Sequence, residues 1–170
     1  MLKRPRIFWP LLISVFLTDC TTKRAAVESL SPGTPHEVVG ETVRFTRTFT
    51  TSAAMGLPAG GHGKEILGIV GLMVAGLLGM WYRRSGSRDA LLSGALALVI
   101  AGALGNAWER LLSPRGVVDF IDVGVGALRF WTFNVADISV TVGAVLLALV
   151  LWRGENTDGN RPLSSRGTTG

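Results

Sequence analysis

The chain is poor in the residues that build most metal sites and covalent crosslinks. Among 170 residues there is one cysteine, Cys20, and there are two histidines, His36 and His62. A lone cysteine excludes an intramolecular disulfide and reads as a small buried hydrophobe. "HEVVG", residues 36 to 40, begins like the zinc-protease helix H-E-x-x-H, but Gly40 stands where the second histidine belongs, so no zinc site assembles. "GHGK", residues 61 to 64, ends like a phosphate-binding loop. Pro58 replaces that loop's first glycine and Glu65 its Ser/Thr. The chain has no G-x-S-x-G segment, which excludes the serine hydrolases built on that elbow, and no internal repeat. Neither a metal nor another cofactor is implied.

Charge is also missing from long stretches. No charged residue lies between Ile66 and Tyr82 or between Ala90 and Trp108, and Phe130 to Trp152 carries only Asp137. Apolar runs of about 20 residues match the ~30 Å hydrocarbon thickness of a bilayer. A further run, "IFWPLLISVFLT", begins at Ile7. It has basic residues ahead but no small residues before Cys20, where Asp19 stands instead, so it reads as a retained span and not a cleaved leader. The expected fold is an all-α membrane protein with four transmembrane helices, at about 7–22, 66–82, 90–108 and 136–152. A small external β-sheet formed by loop segments is expected beside them. "ETVRFTRTF", residues 41 to 49, alternates as a strand does, and "GALRFWTF", residues 126 to 133, is its expected partner. Residues 153–170 read as a disordered tail.

The basic residues set the orientation. Lys3, Arg4 and Arg6, then Arg83, Arg84 and Arg88, then Arg153, Arg161 and Arg166 flank the spans on one side, with only Asp89, Glu155 and Asp158 as acids. By the positive-inside rule both termini and the 83–88 loop are cytoplasmic. The formal charge of +5 is then a topology signal and calls for no nucleic-acid partner.

That orientation gathers Asp19, Asp119 and Asp137 at the external interface, with Asn106 and Arg110. Ionisable groups there are functional candidates by default, although Asp19 can pair with Lys23 one turn on, and Glu109 or Arg110 can serve as helix-end anchors. Two carboxylates sharing a water can hydrolyse an amide without a metal, because like charges that close keep one of them protonated. Sequence spacing alone does not bring Asp119 and Asp137 together. A small proton-coupled transporter or channel subunit, with Asp19 and Asp137 as relay groups, is the alternative.

Three blocks carry a resemblance: "GNAWER" (105 to 110), "VVDFIDV" (117 to 123) and "FNVAD" (133 to 137). In this order, with "DCTTK" (19 to 23) matching D-x-x-[ST]-K, they resemble the lipoprotein signal peptidase family, also called signal peptidase II. The likeness runs from about residue 7 to 152. It implies an aspartyl endopeptidase of the bacterial cytoplasmic (inner) membrane, multi-pass, with its active site at the outer leaflet. Such an enzyme cleaves signal peptides from diacylglyceryl-modified prolipoproteins before the lipid-modified cysteine, in contact with membrane lipid, and binds globomycin-type inhibitors. Carried over residue by residue, Asp119 and Asp137 match the catalytic pair. Asn106, Arg110 and Asn134 match supporting, substrate-binding positions, and Asp19 and Lys23 fall on the first motif. Asp122 matches no chemical role. "FTTSAAMG" (49 to 56) resembles N-x-G-A-A-F, with Thr50 where the family usually has Asn. Ser52 and Met55 replace its Gly and Phe, and Glu109 stands where Asp is common.

Overall fold

The computed structural model describes residues 6–50, 62–85 and 89–159. Its elements run α1 (Phe8–Ser29), β1 (His36–Val39), β2 (Val43–Thr50), α2 (Gly63–Ser85), α3 (Ala90–Leu112), β3 (Val117–Val125), β4 (Leu128–Arg129) and α4 (Val135–Gly159). The "HEVV" segment is thus a strand and not a helix. Most of the "FTTSAAMG" block, including Ser52 and Met55, lies outside the described residues, as do 160–170 of the expected tail.

Each expected span is a helix, and each helix overruns its apolar run. Asp89 caps α3, its carboxylate accepting from the Leu91 and Leu92 N–H groups. α4 continues through the polar residues to Gly159, past the Trp152 boundary set by hydropathy, because helix propagation costs little once the turn before it exists. Among the described residues three helices, α2, α3 and α4, are long and apolar enough to cross a membrane. The largest overrun is in α1, which continues to Ser29 through Asp19, Lys23, Arg24 and Glu28. Its buried positions Asp19, Lys23 and Ala26 recur at helical spacing, so one face of this charged half points into the molecule.

α3 is the central helix. Of its spanning stretch 61% is buried, against 17% for α2 and for α4. Small residues let the neighbours close on it. A Cβ on Gly102 would meet the Ala136 carbonyl and Ser139 Oγ at 2.4 Å, and one on Gly143 would meet Val99 at 2.7 Å. The Gly/Ala face of α3 is therefore taken up by the protein's own packing. At one end Phe8 stacks on Tyr82, ring centroids 3.8 Å apart, joining the start of α1 to the end of α2. At the other end α1 and α3 finish and α4 begins, and the sheet sits there.

The sheet is antiparallel in the order β1-β2-β3-β4. β2 forms where alternation indicates, but its partner is β3, not residues 126 to 133. Val117, Val118, Asp119 and Phe120 are all buried, so β3 reads as a nearly continuous apolar run and lacks the period-two signature. Gly126, at φ +57°, makes the reversal that folds the short β4 back onto β3. Between Phe45 and Thr48 the β2–β3 register slips by a bulge. An extra residue in one strand offsets the two sides of the bulge by one face. Thr46 consequently reaches Asp122, and Thr50 reaches Asp119.

Candidate active site

The site grows from the start of α4. Asn134 precedes the helix, and its Oδ1 accepts from the Asp137 N–H at 3.0 Å, while Asp137 Oδ2 accepts from the Asn134 N–H at 3.1 Å. This is a reciprocal capping box, in which two otherwise orphaned helix-end donors are satisfied together. The next donor, the Ala136 N–H, goes to Asp19 Oδ1 of α1 at 2.8 Å. Asp137 is thus fixed on the first turn of α4, where backbone dipoles favour a negative group.

Asp119 arrives from β3. Residue 133 is stitched to that strand, Phe133 N–H donating to the Ile121 carbonyl at 3.0 Å and the Phe133 carbonyl accepting from Ile121 at 2.8 Å. Asn134 is thereby held beside Asp119 and donates from Nδ2 to Asp119 Oδ1 at 2.6 Å. One asparagine therefore bonds both aspartates, Asp119 through its side chain and Asp137 through its backbone. Asn106 of α3 braces the pair, donating to Asp137 Oδ1 at 2.8 Å and accepting from Asn134 Nδ2 at 3.2 Å. The last oxygen of Asp119, Oδ2, takes the Thr50 hydroxyl at 2.5 Å.

Beneath the pair lies a buried ionic cluster. Lys23 Nζ donates to Asn106 Oδ1 at 2.9 Å and sits 2.8 Å from Asp19 Oδ2 and 3.2 Å from Glu109 Oε2. Glu109 also accepts from the Val118 N–H at 3.0 Å, tying α3 to β3 one residue before Asp119. Asp19 and Lys23 are 1% and 3% exposed, a burial these charges tolerate only as a paired set. Gly105 makes room for it, since a Cβ there would stand 2.6 Å from Asp19 Oδ2. The (i, i+4) pairing of Asp19 with Lys23 is real, and it serves the site by holding the start of α4.

Asp119, Asp137, Asn106, Asn134, Asp19 and Lys23 thus form one continuous network. Arg110 stands at its edge, within electrostatic reach of Asp137, Asp119 and Glu109, its buried Nε without a hydrogen-bond partner among the described residues. Glu109, which the sequence offers as a helix-end anchor, and Thr50, a departure from the family motif, also contribute to it. N-x-x-D before an apolar run was the legible signal for the capping box. A cavity of about 380 Å³ lies between α1 and α3, lined by Asp19, half-buried Cys20, Lys23, Gly105, Trp108 and Glu109. It runs behind the network and touches neither Asp119 nor Asp137. Among the described residues no group of three or more His, Cys, Asp or Glu is arranged to hold a metal ion.

Asp119 is 5% exposed. Burial, reinforced by the Asp137 charge, pushes its carboxyl up to about 6, although the Thr50 and Asn134 hydrogen bonds and Lys23 pull the other way. A carboxyl that holds its proton to that range beside a second carboxylate is equipped for acid–base work.

The sequence family described as Signal peptidase (SPase) II matches residues 11–153. The chain belongs to the signal peptidase II family. It is 32% identical over 157 residues to a lipoprotein signal peptidase of Pseudomonas putida, covering 90% of this chain and 91% of that one. To a lipoprotein signal peptidase of Staphylococcus haemolyticus it is 30% identical over 145 residues, covering 85% and 90%. A bacterial membrane enzyme solved by the in meso method at 2.3 Å resolution superposes with a TM-score of 0.83 at 26% identity, over 96% of this chain and 99% of that one. This signal peptidase II chain thus shares the fold of that membrane enzyme, and its three C-terminal blocks meet at one point of it.

Proposed function

We propose that this chain is an aspartyl endopeptidase that removes signal peptides from diacylglyceryl-modified prolipoproteins, cutting before the lipid-modified cysteine. Asp119 and Asp137 are its catalytic residues. The observation that carries this reading is the double grip of Asn134 on both aspartates, with bonds of 2.6 and 3.1 Å. In the cycle, Asp137 takes a proton from a water held between the carboxyls as that water attacks the scissile carbonyl. Asp119 holds the shared proton and gives it to the carbonyl oxygen. On collapse, Asp137 returns its proton to the departing amine, and the carbonyl proton goes back to Asp119. Arg110, whose Nε has no hydrogen-bond partner among the described residues, and the Asn106 amide serve the substrate backbone, the positions against which a globomycin-type inhibitor would also lie.

The same reading makes α1 a fourth membrane helix, with both termini cytoplasmic and the sheet end at the outer leaflet of the bacterial inner membrane. The nine basic residues on the opposite side support that orientation. A lipid-anchored substrate would then meet the carboxyls where its scissile bond already lies. A proton relay gains no such support, since the uncharged stretch of α3 from Ala90 to Trp108 and that of α2 from Ile66 to Tyr82 offer it no stepping group.

The test uses purified full-length protein in detergent with a lipidated prolipoprotein. The expected product, identified by mass spectrometry, begins at the lipid-bearing cysteine and forms at the same rate in EDTA. A cut elsewhere, or activity lost in chelator and restored by zinc, would overturn the proposal.

A further inference from the structure

Among the described residues two groups hydrogen-bond the carboxyl oxygens of Asp119, and they differ in what they can do. Asn134 Nδ2 can only donate. Besides Asp119 Oδ1 it serves the Asn106 Oδ1 and Val118 carbonyl oxygens at 3.2 and 3.4 Å, and the Asn134 Oδ1 is occupied by the Asp137 N–H. The amide therefore cannot turn over to accept a bond. Thr50 Oγ1, 2.5 Å from Asp119 Oδ2, is a hydroxyl, which donates or accepts by rotating one hydrogen. Its heavy atom need not move. Thr50 is the last residue of β2, and its neighbour Thr48 pairs directly with Asp119 in the ladder and donates to the Asp119 carbonyl at 3.4 Å. A diagonal cross-strand partner on the same face is in reach. The β-branched side chain also has few rotamers to choose from, so the hydroxyl is held on the carboxyl by the strand itself.

We propose that the Thr50 hydroxyl is the positioning partner of Asp119 Oδ2, donating to it when the carboxyl is ionised and accepting from it when the carboxyl carries the proton. The carboxyl thereby keeps one orientation through the whole proton cycle. This rests on the aspartyl reading above and deepens it. When Asp119 gives its proton to the scissile carbonyl, Oδ2 is left negative, and the Thr50 O–H turns to donate to it. When the proton returns, the hydroxyl turns back. No side chain has to leave its place. The one hydroxyl of Thr50, at the position where the family usually has Asn, is thus already engaged by Asp119. The direction of its influence agrees, since its bond acts to lower the proton affinity that burial raises.

The decisive variants are Thr50→Val, which keeps the branched shape and removes the hydroxyl, and Thr50→Ser, which restores it. Both are assayed as full-length protein in detergent on a lipidated prolipoprotein. Thr50→Val is expected to lower kcat by up to about tenfold with KM little changed. The alkaline limb of kcat/KM, which reports deprotonation of Asp119, should move to higher pH by about half to one pH unit. Thr50→Ser should bring back both the rate and the limb. A folding defect alone would lower the amount of active enzyme and leave the limb in place, and that result would overturn the proposal. So would wild-type kinetics in Thr50→Val, or no rescue by Thr50→Ser. If the wild-type protein does not cleave, or Asp119→Asn does, the aspartyl reading itself fails. An active wild type with an indifferent Thr50→Val sinks only the role of Thr50.

Discussion

Asp119 and Asp122 lie three residues apart on β3 and are buried to the same degree, 5% and 7% exposed. Their surroundings differ. Asp122 is clasped by Arg129, whose Nε donates to Oδ1 at 2.7 Å and whose other nitrogens bond the Asp122 and Glu41 carbonyls, while Thr46 donates to Oδ2 at 3.2 Å. Among the described residues Asp119 receives only neutral donors at its carboxyl, Asn134 and Thr50, and it lies within the field of a second carboxylate. A guanidinium fork fixes a charge in place and removes it from chemistry. Neutral donors position a carboxyl and leave its proton negotiable. On the proposed reading, one strand then carries a structural aspartate and a working one, sorted by partners and not by burial.

The largest effect that tests this contrast is the loss of cleavage. Asp119→Asn and Asp137→Asn are each expected to lower turnover by about a thousandfold or more, since members of a catalytic unit fail together. Both variants should still insert and purify as the wild type does. The gel shift of a lipidated prolipoprotein reads the outcome. An active Asp119→Asn beside a dead Asp122→Asn would reverse the assignment.

Next in size is Asn134→Ala, which removes the side-chain half of the link between the aspartates and half of the α4 capping box. Displaced reacting groups cost on the order of a hundredfold in rate, and a lost N-cap about 1 kcal/mol of stability. Turnover should therefore fall far more than the thermal midpoint does. A variant that lost stability while keeping its rate would show that Asn134 only caps the helix.

The sequence makes some of this legible and hides the rest for physical reasons. Uncharged runs disclose α2, α3 and α4 because a bilayer demands continuous apolarity. They cannot disclose how far α1 extends, because past Asp19 its order depends on Lys23, Asn106 and Glu109 satisfying one another. Alternation of residue types discloses β2, whose residues are mostly half-buried, and fails for β3, whose residues 117 to 120 are covered on both faces. The aspartates and asparagines stand in recognisable blocks, yet their junction depends on the Phe133–Ile121 stitch, which is backbone and leaves no residue signature. Thr50 is legible as a departure from a motif. That its hydroxyl meets Asp119 depends on a bulge, and a bulge is invisible to spacing.

The contrast also predicts opposite effects on stability. The carboxyl of Asp119 is raised from 3.8 to about 6 by folding, chiefly through burial. The folded state therefore binds that proton more tightly than the unfolded chain, and stability falls as pH rises between those values; above about 6 the cost is fully present. Asp119→Asn removes the charge and keeps the shape, its amide able to donate to Thr50 and its oxygen to accept from Asn134. At pH 8 the variant should be more stable than wild type by about 2–3 kcal/mol, the two converging as pH falls toward 4. Thermal midpoints in detergent across that range measure it. A gap independent of pH would place the strain somewhere other than the Asp119 charge.

The smallest effect falls on Asp122, and it completes the crossed pattern. Asp122→Asn preserves an acceptor for Arg129 Nε but replaces a charge-assisted bond between groups 19% and 10% exposed at their side chains. Such bonds exceed neutral ones by about 1–2 kcal/mol, so the thermal midpoint should drop modestly at neutral pH. Cleavage should stay near the wild-type rate, because the clasp holds β4 and the Glu41 carbonyl and lies across the bulge from Thr50. Arg129→Lys should weaken the clasp similarly, since an ammonium cannot span the Asp122 carboxylate and both carbonyls as the guanidinium does. If Asp122→Asn lost activity in proportion to Asp119→Asn while keeping its stability, the two aspartates would belong to one working site, and the division along β3 would be wrong.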